Sequence, residues 1–108
     1  MYQDLKGKTA VITGSGKRTG IGFAIARTLA ADGANIVIAD LGTDTGAEEG
    51  QVRTAGSGEM ESLAAELERD FGVRAVTARV DVTDNPSVQA MADLVRETFG
   101  SVEILCNN

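Results

Sequence analysis

Four glycines lie within ten residues of one segment, TGSGKRTGIG at residues 13–22. The segment directly follows Lys8–Thr13 (KTAVIT), a run that predicts a β-strand, and it leads into a stretch that predicts a helix over Gly20–Asp32. Glycines at such a junction let the backbone approach a ligand or another element closely. The sequence therefore predicts a loop that presents backbone N–H groups beside a helix N-terminus, which is where proteins often bind phosphate.

The rest of the chain repeats this alternation of strand and helix. The predicted strands are Lys8–Thr13, Asn35–Asp40, Arg74–Val80 and Val102–Cys106, and the predicted helices are Gly20–Asp32, Glu59–Asp70 and a third that runs from Asn85 to Gly100. Strands that alternate with helices are typical of a parallel sheet in the α/β class. The chain of 108 residues fits one domain with one core.

Each predicted helix has an apolar face. We expect the inward residues to be Ile21, Ile25 and Leu29 in the first helix, Leu63, Leu67 and Phe71 in the second, and Val88, Met91, Val95 and Phe99 in the third. Gly33 is expected to end the first helix as a left-handed cap. Asn85 is expected to cap the third helix, with Pro86 at its first position.

One segment interrupts the alternation. Residues 41–58 are rich in Gly, Thr and Glu and have few large apolar side chains, which predicts an exposed insertion. Its acidic pair, Glu48 and Glu49, is interpreted as a solvated patch, and no metal site is expected.

Composition narrows the function classes. A formal net charge of -6 lacks the cationic footprint of a nucleic-acid-binding protein. No apolar run approaches the ~20 residues of a membrane span, and the first residues lack the apolar core of a secretory signal. The chain has no histidine, which excludes Ser-His and Cys-His nucleophile pairs within it. The single cysteine, Cys106, is expected to be a buried core thiol, and its lack of an internal partner agrees with a cytoplasmic location.

Three phosphate-binding designs can use a glycine loop after a first strand. The nucleoside-triphosphate loop fails twice, because Val11 stands where its first glycine belongs and Arg18 where its Ser or Thr belongs. A methyltransferase-type loop stays open at this point. The dinucleotide-binding loop fits best: Gly14 makes the turn, Gly20 lets the backbone approach the cofactor, and Gly22 lets the helix pack on the strand.

An acidic residue supports the dinucleotide interpretation. Asp40 closes the second strand twenty positions after Gly20, where this fold places a carboxylate on the ribose hydroxyls of the adenosine. A carboxylate there repels the 2′-phosphate of NADP and favours NAD. Lys17 and Arg18 leave NADP as the alternative, because a cation in the loop can offset that repulsion.

Four sequence features together resemble the short-chain dehydrogenase/reductase family. They are LKGKTAVITG leading into GIG, Asp40 after the second strand, DVTD at residues 81–84, and ILCNN at residues 104–108. The resemblance implies a Rossmann-like doubly wound parallel sheet of which this chain holds the first half. It also implies an NAD(P)-dependent oxidoreductase that transfers hydride between a nicotinamide cofactor and a small-molecule alcohol or carbonyl substrate. Homo-oligomers in the cytoplasm are implied as well, and a nucleotide-binding module without catalysis is the alternative.

The resemblance also implies which residues contact the cofactor. They are Thr13, Gly14, Ser15, Gly16, Lys17, Arg18, Thr19, Gly20, Ile21, Gly22, Asp40, Leu41, Asp81, Val82, Asn107 and Asn108. The glycine loop would hold the pyrophosphate, with Ile21 on the nicotinamide side, and Asp40 and Leu41 would flank the adenosine ribose. Asp81 and Val82 would contact the adenine, while the two asparagines would tie the fourth strand to its neighbour and line a ribose.

The sequence departs from the family pattern in two ways. The usual loop is T-G-x-x-x-G-x-G, whereas here five residues, Ser15 to Thr19, separate Gly14 from Gly20. The family's catalytic serine and its Y-x-x-x-K tyrosine and lysine have no counterpart here, where the only tyrosine is Tyr2. We therefore expect no catalytic residue in this segment and interpret it as part of a longer enzyme.

Overall fold

Seven elements alternate along the described part of the chain. A computed structural model describes residues 4–40 and 57–108. The strands are β1 (Thr9–Thr13), β2 (Asn35–Asp40), β3 (Ala75–Arg79) and β4 (Ile104–Cys106), and the helices are α1 (Ile21–Ala31), α2 (Ser57–Phe71) and α3 (Asn85–Phe99). The predicted class and element order are confirmed.

The four strands form one parallel sheet in the order β3-β2-β1-β4. Val11 of β1 pairs with Val37 of β2 on one side and with Leu105 of β4 on the other. β1 is buried along its whole length because it has strands on both sides and helices over the sheet. All four strands therefore end at the same edge, and the loops that follow them lie together there.

Helices cover the two faces of the sheet. On one face, α1 and α2 pack against the inward side chains of Ile12, Ile36 and Ile38. On the other face, Val95 of α3 packs in the cluster that contains Val11 and Val37. The two sets alternate along each strand because successive side chains of a strand point to opposite faces.

The buried face of α1 differs from the prediction. Its buried residues are Gly22, Phe23, Ala26 and Ala30, whereas Ile21 is 74% exposed. Ile25 and Leu29 are only partly buried against the core. The same four-residue period is present but shifted by one position, because Gly22 packs tightly against the end of β1 and this contact sets the rotation of the helix.

The beginning of α3 also differs from the prediction. Asp84, not Asn85, is the N-cap: its backbone is extended and its carboxylate accepts a hydrogen bond from Ser87 N at 3.2 Å. Pro86 lies in the first turn as expected. The shift by one residue places a negatively charged carboxylate, rather than a neutral amide, beside the free N–H groups of the helix, where the helix dipole favours negative charge.

Smaller corrections concern the ends of elements. Ser57 and Gly58 belong to α2 and not to the predicted insertion at 41–58. The rest of that segment, including Glu48 and Glu49, lies outside the described residues. Cys106 is half-buried, not fully buried, because β4 is at the edge of the described sheet. In the described ranges, no helix has the length and apolarity to cross a bilayer.

The capping residue of α3 can be tested directly. We expect Asp84→Ala to lower the free energy of unfolding by about 1 kcal/mol, because it removes the partner of the Ser87 N–H. Asn85→Ala, the matched control, should change it by less than about 0.5 kcal/mol. Urea unfolding of both variants measures this, and a larger loss at Asn85 would contradict the assignment.

Candidate functional site

Most of the expected cofactor-contacting residues lie along the edge where the parallel strands end. Thr13 and the glycine loop follow β1, Asp40 ends β2, and Asn107 and Asn108 follow β4. β1 lies between β2 and β4, so these three groups are neighbours. In open α/β sheets, ligands bind at this edge, in the crevice where the strand order reverses.

Thr13 connects the ends of β1 and β4. Its Oγ1 accepts a hydrogen bond from Asn108 N at 3.1 Å and lies 3.3 Å from Cys106 O, to which it can donate. Asn107 Oδ1 lies 3.4 Å from the same hydroxyl. The asparagines therefore tie β4 to β1, as the family resemblance implied for that part of their role.

Gly14 and Gly22 bring the N-terminus of α1 against the end of β1. Gly14 has a φ of 65°, a left-handed conformation that side chains disfavour. A Cβ on Gly22 would lie 2.6 Å from Gly14 O and 2.8 Å from Asn108 Nδ2. Asn108 Nδ2 also donates to Gly14 O at 3.1 Å. Only a glycine at position 22 allows this approach.

Ser15 fixes the first part of the loop to the sheet. Its buried Oγ donates to Ile12 O at 2.6 Å and accepts from Ala39 N at 3.2 Å. Its backbone N–H donates to Ala39 O at 3.2 Å. Ser15 thus extends the pairing of β1 and β2 by one residue, which places the next residue beside the end of β2.

Gly16 lies against Asp40. Its backbone N–H donates to Asp40 Oδ2 at 2.9 Å. A Cβ on Gly16 would lie 2.9 Å from both Asp40 Cβ and Met60 Cγ. The carboxylate that was expected to bind a ribose therefore also positions the glycine loop.

The two extra residues of the loop form a turn that is attached to α2. Gly20 N donates to Lys17 O at 3.0 Å, which closes the turn around Arg18 and Thr19. Arg18 N donates to Glu59 Oε2 at 3.0 Å, and the Arg18 guanidinium pairs with Glu66 Oε1 at 2.7 Å. The insertion relative to the usual motif is thus held against α2.

Glu66 is shared between the loop and α1. Arg27 of α1 pairs with Glu66 Oε2 at 3.0 Å, and the Glu66 side chain is 15% exposed. The hydrogen bond from Arg18 is the main cause that holds the pKa of Glu66 below its usual value, and the charge of Arg27 acts in the same direction. Glu66 is therefore an ionised anchor that joins the loop, α1 and α2.

Asp81 and Val82 lie farther along the same edge. They follow β3, which is two strands from β1, or about 10 Å. Asp81 Oδ1 accepts hydrogen bonds from Thr83 Oγ1 at 2.6 Å and Thr83 N at 2.9 Å, and these bonds lower the pKa of Asp81. Val82 is 60% exposed. Leu41 lies outside the described residues.

Sequence reasoning missed the part of α2 that borders the loop. Glu59 and Met60 contact the loop from the first turns of the helix, and Glu66 contacts it two turns later. The seven-residue spacing of the two glutamates places them on one helix face. The sequence contains this spacing, but no local pattern connects it to Arg18, because Arg18 lies 48 residues from Glu66 in the chain.

The close approach at Gly22 generates a stability prediction. We expect Gly22→Ala to lower the free energy of unfolding by about 1–3 kcal/mol, because the new methyl group would collide with the backbone of Gly14. Gly58→Ala is the matched helical control: its Cβ would meet nothing within 4 Å, so the variant should be neutral or up to about 1 kcal/mol more stable. Equal effects in denaturant titrations would contradict the packing at Gly22.

The lowered pKa of Glu66 generates a pH prediction. Because the folded-state pKa lies below the ordinary value of 4.5, the ionised Glu66 stabilises the fold above that pH. This contribution is lost as the pH falls through the folded-state pKa. The stability difference between the native protein and Glu66→Gln should therefore shrink on acidification from pH 7 to below 4.5. Glu61→Gln, an exposed charge on α2, is the control, and a pH-independent difference for Glu66→Gln would contradict the prediction.

Curated relatives and solved structures resemble the chain over its length. Glucose 1-dehydrogenase 2 of Bacillus subtilis is 34% identical over 108 residues, which are 100% of this chain and 36% of the relative. 3beta-hydroxysteroid dehydrogenase 1 of Eggerthella lenta is 40% identical, over 100% of this chain and 35% of the relative. L-sorbose reductase from Gluconobacter frateurii, solved with NADPH and L-sorbose, superimposes with a TM-score of 0.79 at 38% identity and covers 100% of this chain and 35% of that one. An NAD⁺-bound xylitol dehydrogenase superimposes with a TM-score of 0.74 at 27% sequence identity, and the match covers 94% of this chain and 33% of that one.

The chain spans about a third of the length of these relatives. The family model described as short chain dehydrogenase matches residues 8–108. This match includes every described strand and helix. It also includes all the residues at the edge where the carboxyl ends of the strands lie, which we call the carboxyl edge. The chain belongs to the short-chain dehydrogenase family.

Proposed function

We propose that this chain is the cofactor-binding part of an NAD(P)-dependent oxidoreductase. The observation that carries the proposal is the position of the α1 N-terminus, which opens at the carboxyl edge beside β1 and β4, with Asp40 on the neighbouring strand. A dinucleotide needs these two features together, a cradle for its pyrophosphate and an acceptor for its ribose.

The glycine loop fits a pyrophosphate. The N-cap of α1 is Gly20, which has no side chain to occupy the free N–H groups of the first turn, and that turn carries no acidic residue. Gly14 and Gly22 keep the backbone close to the sheet where any side chain would fill the space. In the proposal, the backbone of residues 13–22 surrounds the pyrophosphate, and the exposed Ile21 faces the nicotinamide side.

Asp40 fits the adenosine ribose. Its Oδ2 accepts the Gly16 N–H, so the carboxylate is fixed at the end of β2 and can accept hydrogen bonds from the ribose hydroxyls as well. Asp81, whose lowered pKa keeps it ionised at neutral pH, would accept a hydrogen bond from the adenine amino group, with Val82 beside the ring. Leu41 would flank the ribose. Asn107 and Asn108 would line the ribose on the nicotinamide side.

The bound cofactor would supply the hydride acceptor or donor, and the substrate would be a small-molecule alcohol or carbonyl compound. The names of the relatives support this class, since they include dehydrogenases of glucose and of a hydroxysteroid. We infer NAD as the preferred cofactor because Asp40 opposes a 2′-phosphate, although similar structures bind NADPH or NAD. Residues outside this segment would supply the proton transfer, and a homo-oligomeric, cytoplasmic enzyme stays a prediction.

Asp40→Asn tests the proposal in the whole natural polypeptide. Asn keeps an acceptor for the Gly16 N–H but loses the charge, so NADH should bind roughly tenfold more weakly while NADPH binding is unchanged or stronger. Asp32→Asn is the control, because Asp32 lies at the other edge of the sheet, at the end of α1. Calorimetric titration measures both cofactors.

Two results would contradict the proposal. Failure of the native protein to bind either dinucleotide would remove the cofactor role altogether. A loss of NADH affinity smaller than threefold in Asp40→Asn would remove the assignment of Asp40 to the ribose.

A further inference from the structure

Two glutamates of α2 bind Arg18, one at its backbone N–H and the other at its guanidinium. Glu59 accepts the backbone N–H of Arg18 at 3.0 Å, and Glu66 accepts its guanidinium at 2.7 Å. Arg18 is therefore not a free cation at the end of the glycine loop. Its backbone N–H and its guanidinium each bind a glutamate on a different turn of α2.

The direction of α2 explains why the Arg18 guanidinium points away from the edge where Asp40 lies. α2 begins near the carboxyl edge, where Met60 contacts Gly16 beside Asp40, and it runs toward the opposite edge, where Glu68 accepts a hydrogen bond from Ala75 N at the start of β3. Glu66 is seven residues beyond Glu59, or about 10 Å along the helix axis. The guanidinium is thus drawn toward the far edge of the sheet.

Glu66 is anchored independently of Arg18. Arg27 binds its other oxygen at 3.0 Å, and Arg69 lies 3.9 Å from Oε1. Arg27 is itself fixed by Asp70 at 3.7 Å and lies over the ring of Phe71. Because Glu66 is mostly buried and already held from α1, it can keep its position and hold the more exposed Arg18.

A 2′-phosphate on the adenosine ribose would lie against Asp40 and would need a cation from nearby. Arg18 is two residues after Gly16, whose N–H binds the Asp40 carboxylate. We propose that Glu66 is a positioning residue for cofactor selectivity, which withholds Arg18 from a 2′-phosphate and thereby favours NAD over NADP. The inference rests on the proposed cofactor role of this edge.

The test compares cofactor affinities in a double-mutant cycle on the whole natural polypeptide. Calorimetric titrations with NADH and NADPH are made on the native protein, Glu66→Gln, Arg18→Gln and the double variant. Glu66→Gln should release Arg18 and tighten NADPH binding roughly fivefold, with NADH changed less than twofold. Glu61→Gln removes one negative charge from an exposed position on the same helix and should not alter the ratio of the two affinities.

The double variant separates Arg18 from the neighbouring Lys17. If released Arg18 is the cation that binds the phosphate, Arg18→Gln should abolish the gain of Glu66→Gln and return the affinity ratio to near the native value. A gain that survives in the double variant would overturn the inference, as would an unchanged ratio in folded Glu66→Gln. Thermal melts show which variants are folded.

Arg18→Gln in the native background gives an answer even if Glu66→Gln does not fold. A loss of NADPH affinity smaller than threefold supports a withheld Arg18, whereas a larger loss shows that Arg18 already serves the phosphate and overturns the inference. Native protein that binds neither cofactor would instead contradict the proposed function, so the two failures are distinguishable.

Discussion

The contact between Gly22 and Gly14 determines how the rest of the edge is built. The approach of these two residues leaves no room for a Cβ at position 22, and Asn108 closes the same contact from β4. It fixes the rotation of α1, which explains why Phe23 and Ala26 are buried and Ile21 is exposed. The direction in which the first-turn N–H groups point is a consequence of the same contact.

The loop has a second attachment at the end of β2. Ser15 adds one step to the β1–β2 pairing, and Gly16 then reaches the Asp40 carboxylate. A bond between a backbone N–H and a carboxylate is charge-assisted and holds both partners. In the proposed site, Asp40 would therefore connect the phosphate-binding and ribose-binding parts, because the loop that would hold the phosphates also fixes the acceptor for the ribose.

Local periodicity predicted the strands, the helices and their parallel arrangement. The grouping of the polar residues at one cofactor-binding edge came from the family resemblance, not from periodicity. The rotation of α1 was not predictable from periodicity, since Ile21, Ile25 and Leu29 repeat with the same period as the buried Gly22, Ala26 and Ala30. The N-cap of α3, Asp84, lies one residue before the predicted Asn85. Asp and Asn are both favourable N-cap residues, so the sequence alone does not decide between the two positions. The partners of Arg18 depend on tertiary contacts across more than forty residues, which no local pattern encodes.

The charges around the loop indicate that backbone groups, more than cations, would bind a phosphate here. The chain carries a net charge of -6, and Asp40 lies at the loop itself. Arg18 is paired with Glu66, so its charge is largely balanced before any ligand arrives. The N–H groups and the dipole of α1 are oriented by packing and cannot be neutralised by a side-chain rotation. If this edge binds the cofactor as proposed, the helix N-terminus favours a pyrophosphate, whereas Asp40 opposes a further phosphate beside it, and Arg18 must leave Glu66 before it can balance that charge.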